Sequence, residues 1–247
     1  LPHTVEVMTA GAAPPAAVLK ATEKAGFHIT HTYGLTETYG PAVFNAPQDS
    51  WQQLDEDAYA ETLIRQGVRY HMLEDLDVID PDTMQPVPRD GETMGEIMFK
   101  GNIVMRGYLK NAKATTEAFS HGYFHSGDLA VMHPDGYLQI KDRSKDIIIS
   151  GGENISSIEV EETLYKHPDI LETAVDARPD DKWGEKPCAF VTLKPDAGPV
   201  RAASVTAYPL HPGPRRKAPK TLTSTDLPQP PTGKLPESKS RKHLAHR

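Results

Sequence analysis

Cysteine is almost missing from these 247 residues, with Cys188 standing alone. One thiol excludes an intrachain disulfide and any zinc cage built on cysteines, and it fits a reducing compartment. Long apolar runs are missing too: no stretch approaches the ~18 residues of a membrane-spanning helix. Basic charge is in deficit, with 27 Lys and Arg against 34 Asp and Glu, a net of −7. That balance argues against a nucleic-acid partner over most of the chain. The exception is the tail beyond Arg215, where Lys and Arg outnumber the two acids Asp226 and Glu237. A solvated basic end or the wall of an anion site is expected there before a nucleic-acid arm. The chain starts at Leu1 without Met and ends Leu244-Ala245-His246-Arg247, with neither a signal peptide nor a peroxisomal tripeptide. The start is read as truncated, with sequence expected upstream.

What is present has soluble globular composition, 38% hydrophobic and 25% charged, enough for one large or two small domains. Residues 5–9 form an apolar strand pattern ended by Gly11. Pro14-Pro15 suits the start of a helix running to about Lys24, closed by Gly26. Residues 29–33 read as a second strand. Strand, helix, strand at this spacing predicts a parallel α/β unit, in which ligands bind beyond the C-terminal strand ends. Gly11 and Gly34 fall at those ends, and Gly34 is expected to open a loop.

From about Val68 to Asp142 short alternating segments (76–79, 95–99, 137–140) are divided by Asp-Gly and Pro-Asp turns, predicting an antiparallel sheet or small barrel. Residues 141–145 read as a charged link and 147–149 as a buried strand. Ser156 and Glu159 open a capped helix that runs to about Lys166 and stops at His167-Pro168. Strands are expected at 174–176 and 188–193. Four prolines at 199, 209, 212 and 214 deny regular structure to residues 197–217. The expected fold is α/β: the C-terminal part of a large domain over 1–143, with an α/β unit and a small antiparallel β-barrel, then a small α+β domain over 144–247.

Four motifs carry candidate chemistry. In Tyr33-Gly34-Leu35-Thr36-Glu37-Thr38, a tight glycine turn would let backbone N–H groups approach a phosphate. Thr36 offers a donor to a phosphate oxygen, Glu37 a hard oxygen for Mg²⁺, and Tyr33 a flat face for a purine. In Ser126-Gly127-Asp128-Leu129, Asp128 is either a turn former or a carboxylate able to accept both hydroxyls of a ribose. Residues 141–154 run from a charged segment through three isoleucines to Gly151-Gly152-Glu153-Asn154. Pro231-Thr232-Gly233-Lys234 lacks Walker spacing and is not a P-loop. His121 and His125 are four apart, but Gly122 and the Ser126-Gly127 pair oppose a helical metal site between them.

Taken in order, Gly11-Ala12-Ala13-Pro14, the 33–38 motif, Arg106-Gly107-Tyr108, residues 126–129, residues 141–154 and residues 231–234 resemble the ANL superfamily of adenylate-forming enzymes. Within it, Arg143 to Glu153 is most similar to plant acyl-activating enzymes of the butyrate- or benzoate-CoA ligase type. The resemblance implies ATP-dependent activation of a small-molecule carboxylic acid to an acyl-adenylate, then transfer to coenzyme A. It implies that Gly11, Ala12 and Ala13 line the adenine, with Tyr33 on its face. Thr36 would hold the α-phosphate and Glu37 the Mg²⁺, while Asp128 and Arg143 fix the ribose. Lys145 takes the hinge position and Lys234 bridges carboxylate and α-phosphate. Gly152 would face the thiol channel, and Trp183 would contact CoA or serve as a packing aromatic. Such enzymes occur in cytosol and peroxisome.

The sequence departs from that pattern in two places. The Ser/Thr/Gly-rich phosphate loop ending in Pro-Lys-Gly is missing and is expected upstream of Leu1. The proline-rich stretch before Lys217 stands where a helix and strand are expected. Three functional readings stay open at this point: an acyl-CoA ligase present in part, a truncated nucleotide-binding or interaction product without catalysis, and a peptide-synthetase adenylation domain. The last needs a carrier-protein domain, and none is visible before Arg247.

Overall fold

The computed structural model describes residues 2–11, 14–195, 197 and 221–224. The chain divides into two compact units, Leu1–Ser144 and Lys145–Arg247. Ala12, Ala13, Lys234 and residues 198–217 lie outside the described residues.

In the first unit, β1 (Val5–Thr9) leads through α1 (Ala16–Lys24) to β2 (Phe27–Leu35). The two strands pair in parallel, Val5 opposite Phe27 through Thr9 opposite His31. Pro15 is extended (ψ 146°) and caps the helix; Gly26 follows its end at φ +94°. That left-handed conformation is cheap for glycine and satisfies a helix-end carbonyl. β2 is longer than the pattern foretold. Gly34 is its penultimate residue, not the start of a loop, and faces Pro41 on β3 (Gly40–Phe44). An added Cβ at Gly34 would lie 2.0 Å from the Gly40 carbonyl oxygen, so glycine is required there by close approach of backbone, not by a turn. β4 (Val68–Arg69) completes a sheet of order β1-β2-β3-β4. The helix α2 (Glu56–Leu63) between β3 and β4 was not foreseen. Asp55 caps it by accepting from the Asp57 and Ala58 N–H groups.

The second sheet is antiparallel, as expected, and runs β6-β5-β7-β8-β9. It comprises β5 (Asp75–Asp80), β6 (Gln85–Pro86), β7 (Met94–Lys100), β8 (Phe124–Met132) and β9 (Leu138–Arg143), with the helix α3 (Ala112–Ala118) between β7 and β8. Its described ladders form an open path and not a ring. A single bridge, Gly67 to Leu138, ties it to the first sheet. The core of this unit joins both sheets: Tyr33 and Val43 from the first, Val78, Ile97, Phe99, Phe124 and Leu138 from the second. Lys141, Asp142 and Arg143 belong to β9, so the charged link is shorter than foreseen, a turn over residues 144–146.

The second unit carries β10 (Ile148–Ser150), β11 (Glu153–Ile155), α4 (Ser157–Tyr165), β12 (Ile170–Asp180), β13 (Gly184–Leu193) and β14 (Thr221–Ser224). Ser156 caps α4, its hydroxyl accepting from the Glu159 N–H at 3.0 Å. The residues foreseen as one buried strand instead alternate: Ile148 and Ser150 are buried, while Ile149 is 56% exposed. β12 and β13 form a hairpin far longer than foreseen, paired from Ile170–Leu193 to Asp180–Gly184. β14 lies parallel to β13, Thr221 opposite Cys188. Cys188 is buried, which raises its thiol pKa and keeps the protonated form.

Candidate active site

Beyond the C-terminal ends of β1 and β2 lies a cavity of about 390 Å³, walled by Ala10, Thr32, Gly34, Thr36, Tyr39 and Pro41 among others. That size lies within the ~300–1,000 Å³ of small-molecule sites. The topology explains the position. Parallel strands deliver their following loops to one end of the sheet, and those loops build the wall. Thr36 is exposed and its residue forms part of that wall.

The 36–38 turn is locked from within. Thr38 is buried; its hydroxyl accepts from the Leu35 N–H (2.9 Å) and lies 3.0 and 2.9 Å from the Leu35 and Gly40 carbonyl oxygens. Tyr39 follows in the left-handed region at φ +59°. Thr38 therefore does the structural work in the motif, leaving Thr36 and Glu37 displayed.

Glu37 is held by a distant segment. Its carbonyl accepts from the Met105 N–H at 2.7 Å, and its carboxylate Oε1 accepts from the Tyr108 hydroxyl at 3.0 Å. Tyr108 is anchored in turn, its N–H donating to Thr115 Oγ1 at 2.9 Å. Gly107 permits that approach: at φ +150°, an added Cβ would meet Thr115 Cγ2 at 2.5 Å. Partial burial and the Glu37 carboxylate raise the Tyr108 pKa, so its hydroxyl stays a donor. The Arg106-Gly107-Tyr108 motif was legible in the sequence, but its grip on Glu37 was not.

Tyr33 corrects an expectation. Its ring is 6% exposed and packs against Phe99, with centroids 6.0 Å apart, instead of offering an open face to a purine. Its hydroxyl donates to Asp128 Oδ2 at 2.6 Å. Burial and then the Asp128 carboxylate push the phenol pKa well above its ordinary value, so it remains a donor. Arg143, opposite Asp128 across β8 and β9, sets its Nε 3.4 Å from Asp128 Oδ1. The structure thus gathers Tyr33, Asp128 and Arg143 from three strands. Of the two readings of Asp128, the turn former is excluded: it lies inside β8, in a bulge.

Gly11 follows Ala10 of the cavity wall, at φ +96° with open space about its Cα. In the second unit, Gly151 (φ +61°) and Gly152 (φ +85°) form the two-residue turn joining β10 to β11. Two consecutive positive φ values suit a type I′ hairpin, where glycine is favoured. Trp183 sits against this turn: an added Cβ on Gly151 would lie 2.7 Å from its ring, and the Gly151 N–H donates to the Trp183 carbonyl at 2.8 Å. Around Gly152 the space is open. The packing alternative for Trp183 is therefore present in the structure, and the Lys182 ammonium lies over the same ring, 4.7 Å from its centroid. Lys145 lies in the 144–146 turn, at the junction of the two units.

Residues 1–109 match the model of the AMP-binding enzyme family, and residues 159–234 match that of the AMP-binding enzyme C-terminal domain. The chain belongs to the AMP-binding enzymes. Over 239 residues it is 58% identical to an acetate–CoA ligase of Humulus lupulus, covering 95% of this chain and 42% of that protein. It is 54% identical to a peroxisomal acetate/butyrate–CoA ligase of Arabidopsis thaliana over the same share of each. The o-succinylbenzoate CoA synthetase of Bacillus subtilis, solved with its acyl-adenylate intermediate, shares the fold at a TM-score of 0.78 and 30% identity, over 96% of this chain and 46% of that one. The chain thus spans less than half the length of these relatives.

The residues present suit the groups the family implies. Among the described residues, no three His, Cys, Asp or Glu side chains gather as a cage. A single oriented carboxylate such as Glu37 fits Mg²⁺, which is commonly held by one or two carboxylates and the phosphates of a nucleotide. No helix among the described residues is long and apolar enough to cross a membrane.

Proposed function

We propose that this chain is the AMP-gripping and C-terminal portion of an acyl-CoA ligase, which joins a carboxylic acid to AMP from ATP with release of pyrophosphate and passes the acyl group to the CoA thiol with release of AMP. The observation that carries this reading is the meeting of Tyr33, Asp128 and Arg143, far apart in sequence, around one buried carboxylate. A carboxylate so oriented retains lone pairs for neutral hydroxyl donors, as a ribose requires. Gly11, Ala12 and Ala13 line the adenine in this reading, and Thr36 donates to the α-phosphate.

Mg²⁺, carried by Glu37 and the phosphates, would neutralise charge on the phosphate oxygens. Attack by carboxylate on phosphorus spreads negative charge over those oxygens, and fixed donors stabilise it most where water is excluded. Lys234 bridges the carboxylate and the α-phosphate in this step. Lys145 serves as the hinge between the half-reactions, with Gly152 bordering the thiol path and Trp183 packing against the neighbouring Gly151 or touching CoA. The expected compartment is peroxisome or cytosol.

Calorimetric titration of the 247-residue chain with AMP tests the grip. Saturable binding, weakened by Asp128→Ala and by Thr36→Ala, is expected. A folded chain that ignores AMP, or whose binding is indifferent to both changes, removes the reading. In the complete enzyme, Lys234→Ala should lower ATP–pyrophosphate exchange by roughly 10²–10³-fold, the effect of losing one preorganised donor, and spare thioester formation from supplied acyl-adenylate. The 247-residue chain alone is expected to exchange poorly. Binding without exchange in the complete enzyme would favour a non-catalytic nucleotide-binding product.

A further inference from the structure

We infer that Glu96 and His125 are positioning residues that set the Asp128 carboxylate for the ribose hydroxyls by holding open a bulge in β8. The inference rests on the proposed nucleotide reading and deepens it.

The register of β7 and β8 breaks at this point. Glu96 faces Leu129, but Met98 faces His125. Ile97 alone therefore opposes Ser126, Gly127 and Asp128, two residues more than a regular ladder allows. Surplus residues in a strand lose their ladder hydrogen bonds and re-aim nearby side chains. Backbone polar groups left behind in a buried strand need other partners.

Here side chains supply them. The Ser126 hydroxyl donates to the Ile97 carbonyl at 2.6 Å and accepts from the Asp128 N–H at 3.1 Å. The Gly127 N–H donates to Glu96 Oε1 at 2.8 Å. Gly127 takes φ +74°, the left-handed conformation that turns the chain back into β8. Its carbonyl accepts from the Ser144 N–H at 2.9 Å. The bulge delivers Asp128 opposite Arg143 and within reach of the Tyr33 hydroxyl.

Glu96 is a buried carboxylate, which needs pairing to be tolerated. His125 provides it: Nδ1 lies 2.8 Å from Glu96 Oε2, and Nε2 lies 2.7 Å from the Ser120 hydroxyl. One oxygen of Glu96 thus holds the bulge and the other is fixed by His125. Neither residue touches the Tyr33–Asp128–Arg143 group in the hydrogen bonds that define it. Their effect on the ribose passes through the backbone at Gly127.

The test compares binding of AMP and 2′,3′-dideoxy-AMP to the 247-residue chain. Wild type should prefer AMP by about tenfold or more, since charged hydrogen bonds to the hydroxyls are absent from the dideoxy form. In Glu96→Leu the preference should collapse towards one, as in Asp128→Ala, with dideoxy-AMP affinity retained. Glu96→Gln, which keeps an oxygen for the Gly127 N–H, should retain the preference within about twofold, a rescue that bulk packing alone does not explain. Should the leucine variant fail to fold, His125→Phe is read instead, and a preference falling by at least about threefold supports the inference. An unchanged preference in the folded leucine or phenylalanine variant, or equal loss for both nucleotides, overturns it. A wild type that does not distinguish the two nucleotides removes the nucleotide reading itself, and this role with it.

Discussion

The Tyr33 hydroxyl donates to Asp128 Oδ2 across 2.6 Å, joining β2 of the first sheet to β8 of the antiparallel sheet. One buried contact thereby couples the two sheets of the first unit. The donor is a phenol that burial keeps protonated, and the acceptor is a carboxylate that Arg143 also faces.

Tyr33→Phe should remove that hydrogen bond without opening a cavity. A hydrogen bond to a charged group is worth about 1.5–3 kcal/mol, so urea unfolding should show a loss of about 2 kcal/mol. AMP affinity should fall with it, because Asp128 loses one of its two fixed neighbours. Unchanged stability and unchanged affinity together would show that the contact does not hold in solution.

Gly34→Ala and Gly40→Ala should separate two reasons for glycine. At Gly34 the new methyl meets a carbonyl oxygen at 2.0 Å, and the sheet must part, at a cost of about 3 kcal/mol or more. At Gly40 the space is open and only φ +114° is strained, at roughly 1–2 kcal/mol. Denaturation midpoints of the two variants give the order, and equal effects would contradict the close approach of β2 and β3.

His31 should make the first unit sensitive to acid. It is buried at 3% exposure, and desolvation lowers its pKa from 6.5 to about 4. Between those values the unfolded chain binds a proton that the folded chain refuses. The folded state therefore loses stability as pH falls below about 6.5, with the loss complete near pH 4 and on the order of 3 kcal/mol. His31→Gln should flatten this part of the profile of unfolding free energy against pH. A wild-type profile already flat from pH 7.5 to 4.5 would count against it.

Gly151→Ala should displace the Trp183 ring, which lies 2.7 Å from the new methyl. Gly152→Ala meets open space and strains only its backbone. In a Trp51→Phe background, Trp183 is the sole tryptophan and its fluorescence reports the change. A shifted emission maximum is expected for Gly151→Ala and not for Gly152→Ala. The opposite pattern would mean that Trp183 packs elsewhere.

Much of the local structure was legible. The capping serine at 156, the stop after Lys166, and the parallel unit over residues 5–33 follow from patterns confined to a few neighbouring residues. The candidate motifs stood out for the same reason. What failed were inferences about what a residue faces. Gly34 looked like a turn because isolated glycines often are; its reason is a carbonyl on β3. Asp128 could be read either as a turn former or as a ribose acceptor, and the structure excludes only the turn: it lies within β8, where the preceding Gly127 N–H donates to Glu96 Oε1. α2 escaped because eight weakly patterned residues after Asp55 give little periodicity to count.

By itself the sequence determined the parallel β1–α1–β2 unit, the antiparallel segments after it, the capped helix at Ser156, the family resemblance, and which side chains have chemistry to offer. Those depend on local hydrophobic periodicity, turn residues and the succession of motifs, all of which the linear chain contains. Only the tertiary structure decided that Tyr33 braces Asp128, that Tyr108 grips Glu37, and that Glu96 supports the bulge. Each of those is a contact across dozens of positions, set by strand register and by the need to satisfy buried polar groups, and none exists until the sheets have assembled.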